Sequence, residues 1–389
     1  MSVADAVRHA RPPLRGSLII RLALGIGAVL VAFNGYQWLR RALNPRFPSD
    51  FLVYYQGALT GRTAGWSHLY DFERQQQVLQ LVAPGLAWSQ EWGPFWNPPP
   101  LAWLVAPATL LPYPFAYGVW SAAMTGCLVL GWWLAAPGHG SERALHLLAF
   151  LALFPVAFCL ALGQPVPLLF GSVAVACWLL RKERPVLAGL ALSVVALKPH
   201  PLLLLPVALL AAGHFRAFAA AAAGIGFLAL ISLVSLGTDG LDQLRSDLAV
   251  ASSWQQAPFT IAGLFGNGPA GWSARGAVAA AALLVAWRHR RSGPELPIAA
   301  GVVGSLAVAP FLHLQDLVLL LAAGWLMLRA EATRAQRLFA AAGWLVLEAA
   351  VAAGAAVLLL EVCWLCWMLA RRLPIPQRRQ RLAASEGAA

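Results

Sequence analysis

The chain has 389 residues, of which 60% are hydrophobic and only 11% are charged. A soluble domain carries roughly 25% charged residues, and large exposed apolar patches drive association. These values exclude a soluble enzyme and a disordered chain. The long Leu/Ala runs do not alternate as the strands of an outer-membrane barrel do. The composition therefore predicts an all-α, polytopic membrane protein.

The net charge of +12 indicates basic cytoplasmic loops beside anionic lipid, and no nucleic-acid partner is expected. Placing the basic clusters in the cytoplasm predicts about twelve transmembrane helices with both termini inside. The first helix is predicted over 17–39. The later apolar segments are 115–136, 144–162, 165–180, 186–198, 201–212, 217–236, 276–287, 295–310, 315–328 and 338–370, the last holding one or two spans.

The same topology divides the chain into a membrane domain over 17–370 and two basic cytoplasmic tails, 1–16 and 371–389. Within the membrane domain, residues 40–94 are predicted to form a first periplasmic loop. This loop should contain interfacial helices at about 50–60 and 69–82. Residues 237–275 are predicted to form a second periplasmic loop.

Residues 95–113 are apolar, but prolines interrupt them from Pro98 to Pro112. Proline removes a helical hydrogen bond and clashes with the preceding turn. We therefore predict a re-entrant or interfacial segment here instead of a full crossing.

Polar side chains recur at the predicted outer ends of the spans, where burying them is costly. They are Asp50, Gln164, Lys198, His200, His313 and Asp316. We expect them to meet in one pocket that is open to lipid, because each lies at an outer-face break. A Lys followed by a His at a proline break suits an anionic ligand, and the pattern suits an enzyme that acts on a lipid-borne anionic substrate.

Each of these residues also has a structural explanation. Asp50 follows Pro48 and Ser49, so either Ser49 or Asp50 could cap a helix. Gln164 could belong to a polar turn. Asp316 could cap a helix start, with His313 incidental, although one helical turn would bring the two together.

Aromatic and amide side chains flank this pocket in the sequence. Tyr54 and Tyr55 follow Asp50, and Asn97 begins the proline-rich segment. The tyrosines offer flat faces for packing against a sugar, although an interfacial belt of Trp and Tyr is the simpler explanation.

The order of these residues resembles that of a known enzyme family. The matching motifs are Ser49-Asp50-Phe51-x-x-Tyr54-Tyr55, Leu69-Tyr70-Asp71, Pro99-Pro100-Leu101, Gly163-Gln164, Ala188-Gly189-Leu190, Leu197-Lys198-Pro199 and Pro310…His313…Asp316. Over roughly residues 45–330 the chain resembles the GT-C superfamily of membrane glycosyltransferases. Within that superfamily it is most similar to glycosyltransferase family eighty-seven, the polyprenyl-phosphate-mannose-dependent alpha-mannosyltransferases and their bacterial relatives.

The resemblance implies a GT-C-like helical bundle whose first outer loop carries interfacial helices and the catalytic carboxylate. It implies transfer of a hexose, with mannose expected, from a polyprenyl-phosphate donor, with inversion and without a nucleotide sugar. By this similarity Asp50 is the general base and His313 a second catalytic residue. Lys198 and His200 would hold the donor phosphate, and Gln164, Asp316, Tyr54, Tyr55 and Asn97 would line the substrate site.

The implied acceptor is a glycolipid, a polysaccharide or another envelope component, and the site would face the periplasm from the bacterial inner membrane. No cofactor and no metal are expected. Two departures concern the sugar and lipid pockets: Asn97 stands before a triple proline, where the family often has Tyr, and Pro165-Val166-Pro167 follows Gln164. They leave the identity of the sugar open.

The chemistry is consistent with a single carboxylate. A sugar phosphate already carries a charged leaving group, so it needs a cation and no general acid. One base then suffices to remove the proton of the acceptor hydroxyl, unlike the carboxylate pair of a glycosidase. Two alternatives stay open: a transporter or flippase of lipids or lipid-linked sugars, and an O-acyltransferase that relies on His313.

Overall fold

The computed structural model describes residues 14–42, 49–88, 93–251, 259–330 and 333–371. Within these residues the fold is all-helical and contains no strand. The predicted tails fall almost entirely outside the described residues. All five cysteines are free thiols.

Seventeen α-helices follow one another along the described part of the chain. The first nine are α1 (Leu14–Ala42), α2 (Asp50–Ala64), α3 (Phe72–Val82), α4 (Pro99–Val105), α5 (Tyr113–Ala135), α6 (Gly140–Ala152), α7 (Phe154–Leu162), α8 (Val166–Arg181) and α9 (Pro185–Leu192). The other eight are α10 (Leu205–Ala211), α11 (Phe215–Ala251), α12 (Ile261–Phe265), α13 (Pro269–Arg288), α14 (Glu295–Val308), α15 (Val318–Arg329), α16 (Arg334–Glu348) and α17 (Gly354–Ala370). Short 3₁₀ turns lie at Trp66–His68, Ala106–Leu110, Ser193–Leu197, His200–Leu202 and Leu314–Leu317.

Three of the described helices, α5, α11 and α13, are long and apolar enough to cross a membrane. The pair α6 and α7 passes the same test together, with a bend of 62° between its two limbs, and would be a fourth. Shorter apolar helices, including α8, α14 and α17, surround them. Length and composition thus indicate a membrane protein, and the figure of about twelve spans stays a prediction.

Several predicted breaks coincide with helix ends in the structure. The segment 95–113 holds only the short α4 and the turn Ala106–Leu110 before α5 begins at Tyr113. The stretch 338–370 is divided between α16 and α17. The helix predicted over 217–236 also ends where expected, because Gly237, with φ of 62° and ψ of −165°, is non-helical, and a second helical segment follows it to Ala251 within α11.

Two of the four hydrophobic clusters in the described part of the chain form most of the core. The larger contains the apolar faces of α8, α14 and α15, which are almost entirely buried. The smaller joins α2, α4 and the beginning of α5. Leu160 and Val194 pack against both clusters, so the loops between α7 and α8 and after α9 lie where the two meet.

A buried amide holds α2 against the chain that follows it. Gln75 in α3 accepts a hydrogen bond from Gln56 in α2 at 3.1 Å and another from the Phe95 backbone N–H at 2.7 Å. Its own amide donates to the carbonyl of Leu69 at 2.9 Å. Because a buried amide without these partners would be costly, Gln75 fixes α2, α3 and the segment before α4 as one unit.

Candidate active site

Asp50 is the first helical residue of α2, and Ser49 serves as the helix cap. The Ser49 hydroxyl accepts a hydrogen bond from the Leu52 N–H at 3.2 Å and lies 2.8 Å from the Tyr113 hydroxyl. Because Ser49 satisfies the helix end, the carboxylate of Asp50 is not used for capping. It points to the loop between α7 and α8.

The carboxylate of Asp50 is hydrogen bonded to the side chain of Gln164. Its amide nitrogen donates a hydrogen bond to Asp50 Oδ2. The preceding residue makes the approach possible, since Gly163 ends α7 with φ of 69° and lies directly against Phe51. A hydrogen bond of 2.7 Å from the indole of Trp120 to the Gly163 carbonyl holds this turn in place.

Lys198 lies on the other side of the same amide. The side chain is 5% exposed, and its ammonium donates to Gln164 Oε1 at 3.0 Å. Lys198 follows the 3₁₀ turn Ser193–Leu197 and precedes Pro199, so the proline break ends the helix at this cation.

The fourth polar residue, Asp316, lies in the turn before α15. One carboxylate oxygen accepts from the Lys198 ammonium at 2.6 Å, and the other accepts from the His313 backbone N–H at 3.0 Å. Its side chain is completely buried. The predicted proximity of His313 and Asp316 is therefore realised through the backbone of His313, whose own side chain is exposed.

These bonds form one continuous polar chain, Asp50–Gln164–Lys198–Asp316. Its members come from four separate breaks in the helical bundle, between residues 50 and 316. Asp50 and Asp316 are its two acidic ends, and Lys198 is its single cation. Of the four residues, only Asp50 is half-buried, whereas Gln164, Lys198 and Asp316 are buried, so the chain lies nearest to the surface at Asp50.

The two carboxyl groups of the chain have opposite pKa shifts. Burial raises the pKa of Asp50 above its usual value, although Gln164 and Lys198 oppose that rise. Burial also acts to raise the pKa of Asp316, but Lys198 and His200 outweigh it and hold that pKa well below the usual range. Asp316 is thus a permanent counter-ion, whereas Asp50 is the better proton acceptor.

His200 lies beside the acidic end of the chain. Its Nε2 is 3.7 Å from Asp316 Oδ2, which is too long for a hydrogen bond. Its ring packs on Phe311 with 4.4 Å between centroids, a contact that the sequence did not suggest. Burial lowers the pKa of His200, so the ring is neutral near pH 7.

The structure places the remaining predicted residues differently. Tyr54 is buried and lies beside Asp50 and Gln164. Tyr55 donates from its hydroxyl to the Leu111 carbonyl at 2.8 Å and so anchors α2 to the loop before α5. Asn97 accepts from the Tyr70 hydroxyl through its backbone carbonyl at 2.8 Å, and the polar chain does not include it.

The supporting role of Gln75 was missed in the sequence because it lies in a run of three glutamines, Gln75 to Gln77, on an amphipathic helix. The apolar periodicity of α3 turns only Gln75 inward among the three. That periodicity was the available signal. In the described part of the chain, no group of three or more His, Cys, Asp or Glu side chains is arranged to hold a metal ion.

Apolar helices of spanning length and a buried polar chain at one end of the bundle define a helical membrane protein with a polar site. Residues 95–314 match the model of glycosyltransferase family 87. This match covers more than half of the 389 residues, so the chain belongs to that family and is a membrane glycosyltransferase. No curated protein and no solved structure matches the chain.

The matched range includes Gln164, Lys198, His200 and His313. It begins after Asp50 and ends just before Asp316. The contacts of the polar chain therefore connect residues inside the family match with a carboxylate on each side of it.

Proposed function

We propose that the protein transfers a hexose, with mannose expected, from a polyprenyl-phosphate donor to an acceptor hydroxyl at the periplasmic face of the inner membrane. Asp50 acts as the general base, and the anomeric centre is inverted. The observation that carries this proposal is the polar chain. It brings the carboxylate of the half-buried Asp50 and the buried cation of Lys198 together at the same end of the bundle.

Lys198 supports the donor side of the reaction. A lysine ammonium has three N–H donors. Gln164 and Asp316 use two of them within the described residues, which leaves one for a phosphate oxygen. A buried cation is an efficient stabiliser of the charge that develops on a leaving phosphate, because little water screens it.

Asp316, His200 and His313 also belong to the donor side of the proposed site. Because Asp316 already neutralises Lys198, the pair alone does not attract a phosphate strongly. The neutral ring of His200 adds an N–H donor next to the pair. His313 is exposed and lies next to this group, with 5.8 Å between the centroids of its ring and the Phe311 ring. We assign His200 to the donor phosphate and His313 to a reacting group of donor or acceptor.

Asp50 supports the acceptor side. Inversion requires the acceptor oxygen to attack the anomeric carbon from the face opposite the phosphate, as its proton passes to the base. Gln164 links Asp50 to Lys198 through a single amide, so the proposed base and the proposed phosphate-binding cation lie near enough to contact the same sugar phosphate. Tyr54 lies beside this space, and Asn97 at the proline-rich segment is assigned to its rim.

The arrangement of basic residues supports a periplasmic site. Helix α8 starts beside Gln164 and ends at Arg181, and α15 starts after Asp316 and ends at Arg329. The basic residues therefore lie at the end of the bundle opposite the polar chain. Since basic loops favour the cytoplasm, the polar chain faces the other compartment.

A transfer assay tests the proposal. Purified protein in lipid nanodiscs is incubated with radiolabelled polyprenyl-phosphate mannose, polyprenyl-phosphate glucose or GDP-mannose, each with bacterial lipid extracts as acceptors. We expect label to move only from a lipid-linked donor, into a product of the opposite anomeric configuration. Transfer from GDP-mannose alone, or movement of the donor across the bilayer without transfer, would refute it.

A further inference from the structure

A large cavity lies at the end of the bundle opposite the polar chain. Its volume is about 1430 Å³, and α1, α6, α8, α15 and α16 line it. Helix α8 has 16 residues and α15 has 12, and both run from the polar chain to the cavity. At 1.5 Å per residue, the two sites are on the order of 20 Å apart.

The charged residues that line the cavity are strongly unbalanced. Four are arginines, Arg143, Arg181, Arg329 and Arg337, whereas Glu142 is the single carboxylate among the described lining residues. Glu295 lies 3.7 Å from Arg181 and compensates it in part. The positive charges of Arg181 and Arg143 both repel the positive charge of Arg329. Like charges held this close favour an anion between them.

The protein holds two of these arginines in place. Arg329 donates to the Leu134 carbonyl at 2.6 Å. The guanidinium of Arg143 lies 4.7 Å above the ring of Trp133, and its Nε is buried without a hydrogen-bond partner in the described part of the chain. A guanidinium that an aromatic ring holds at the cavity wall is suited to a phosphate oxygen.

The rest of the wall is apolar and aromatic. Phe150 and Trp325 are buried with ring centroids 5.2 Å apart, and Leu148, Trp344 and Ile26 continue the lining. Pockets for drug-sized ligands measure roughly 300–1,000 Å³, so this cavity suits a larger molecule. Arginines beside a long apolar wall suit an amphiphile with an anionic head, and basic pockets between membrane helices bind such head groups.

We propose that this cavity binds an anionic glycerophospholipid, with its phosphate at Arg143, Arg181 and Arg329 and its acyl chains along the apolar wall between α1 and α16. The site is separate from the polar chain and does not depend on the sugar that is transferred. The lipid fills a gap between helices that would otherwise pack poorly. It therefore stabilises the folded protein in proportion to its occupancy.

Binding is measured without turnover, by native mass spectrometry and by the thermal unfolding midpoint of the purified chain in detergent. The probes are dioleoylphosphatidylglycerol, dioleoylphosphatidylcholine and glycerol phosphate. We expect phosphatidylglycerol to bind with a defined stoichiometry and to raise the midpoint, and the other two to have little effect. Equal effects of both lipids, or a full effect of glycerol phosphate, would overturn the proposal.

The Arg143→Gln variant should weaken phosphatidylglycerol binding by about tenfold or more, since it removes a charged hydrogen-bond donor. Arg216→Gln is the matched control, because Arg216 is an exposed arginine at the beginning of α11, outside the cavity. It should bind as the unmodified chain does. If Arg143→Gln is unstable, Arg143→Lys keeps the charge and should recover most of the affinity. Unchanged binding in Arg143→Gln, or an equal loss in Arg216→Gln, would contradict the assignment.

Discussion

Lys198 and Asp316 are 118 positions apart in the sequence and form an ion pair of 2.6 Å, with side chains that are 6% and 0% exposed. The pair ties the proline break after α9 to the turn before α15. A buried pair gives little net stability compared with apolar residues of similar size, but the loss of one partner leaves an uncompensated charge. The stability of the break after α9 and that of the turn before α15 are therefore coupled through this pair.

The first prediction concerns this dependence. Asp316→Asn should lower the free energy of unfolding by about 3–5 kcal/mol, because it leaves Lys198 buried without a counter-ion. The double variant Lys198→Met/Asp316→Leu should lose less, since it removes both charges. Titration with sodium dodecyl sulfate in mixed micelles measures the two free energies.

The exposed pair of Asp242 and Arg245 provides the control. Its atoms are 3.0 Å apart, but its side chains are 73% and 78% exposed. Asp242→Asn should change the free energy of unfolding by less than about 1 kcal/mol. A double variant that is no more stable than Asp316→Asn would contradict the account of a buried, mutually compensating pair.

The second prediction concerns the pH dependence of transfer. A general base works only when deprotonated, so activity is present above the pKa of Asp50 and is lost as the pH falls through it. Because burial raises that pKa and Gln164 lowers it, Gln164→Met should raise it further. The acid limb of kcat/KM should lie above the usual carboxyl range near about pH 4 and should move to higher pH in the variant.

Gln77→Met is the control for that profile, because Gln77 is exposed on α3. Its acid limb should coincide with that of the unmodified chain. An acid limb that Gln164→Met leaves in place would show that Asp50 is not the titrating group.

Much of this arrangement could be predicted from the sequence, because apolar length and proline breaks are local properties. The helices expected near 50–60 and 69–82 correspond to α2 and α3, while their interfacial position stays a prediction. The outer-face residues were expected to meet because each stands at a break between apolar segments. Parity of the spans then brings such breaks to one end of a bundle, and the structure brings four of them into one chain.

The remaining details depend on tertiary contacts. The sequence allowed either Ser49 or Asp50 to cap α2, and the contacts of the Ser49 hydroxyl with the Leu52 N–H and the Tyr113 hydroxyl show that Ser49 is the cap. Gln164 can donate to Asp50 and accept from Lys198 because the turn before it packs on Phe51. The arginine-lined cavity arises between helices distant in sequence, so no local pattern indicates it.

The third prediction concerns the turn at Gly163. Alanine there would take a positive φ, and its Cβ would lie 2.6 Å from the Cβ of Phe51. Gly163→Ala should therefore lower the free energy of unfolding by at least about 1 kcal/mol and reduce transfer, since Gln164 would be displaced from Asp50. Thermal unfolding and the transfer assay measure both effects.

Gly118 in α5 offers the opposite case, because an added Cβ would meet nothing within 4 Å. Gly118→Ala should leave transfer unchanged and stabilise the helix by up to about 1 kcal/mol. Equal stability of the two variants would contradict the role assigned to the Gly163 turn.

The fourth prediction compares two glutamates of neighbouring helices. Glu361 in α17 is fully buried, and neither carboxyl oxygen has a hydrogen-bond partner in the described part of the chain. Glu348 at the end of α16 accepts from the Phe154 backbone N–H at 2.8 Å. An unpartnered buried polar group costs free energy, whereas a partnered one stabilises.

Glu361→Met should therefore raise the thermal unfolding midpoint, and Glu348→Met should lower it by leaving the N–H of Phe154 without its acceptor. Both variants replace the same side chain with the same apolar one, so each is the control of the other. A lower midpoint for Glu361→Met would show that Glu361 has a stabilising partner.

The proposed role of Asp50 is that of the general base in sugar transfer. The most direct test is the rate of transfer from labelled polyprenyl-phosphate mannose by purified Asp50→Asn, with Asp242→Asn as the matched surface control. Asparagine keeps the size and the hydrogen bond to Gln164 but cannot take a proton. We predict that Asp50→Asn folds, binds the donor and loses about a hundredfold or more in kcat, while Asp242→Asn keeps full activity. Undiminished turnover by Asp50→Asn would contradict the account.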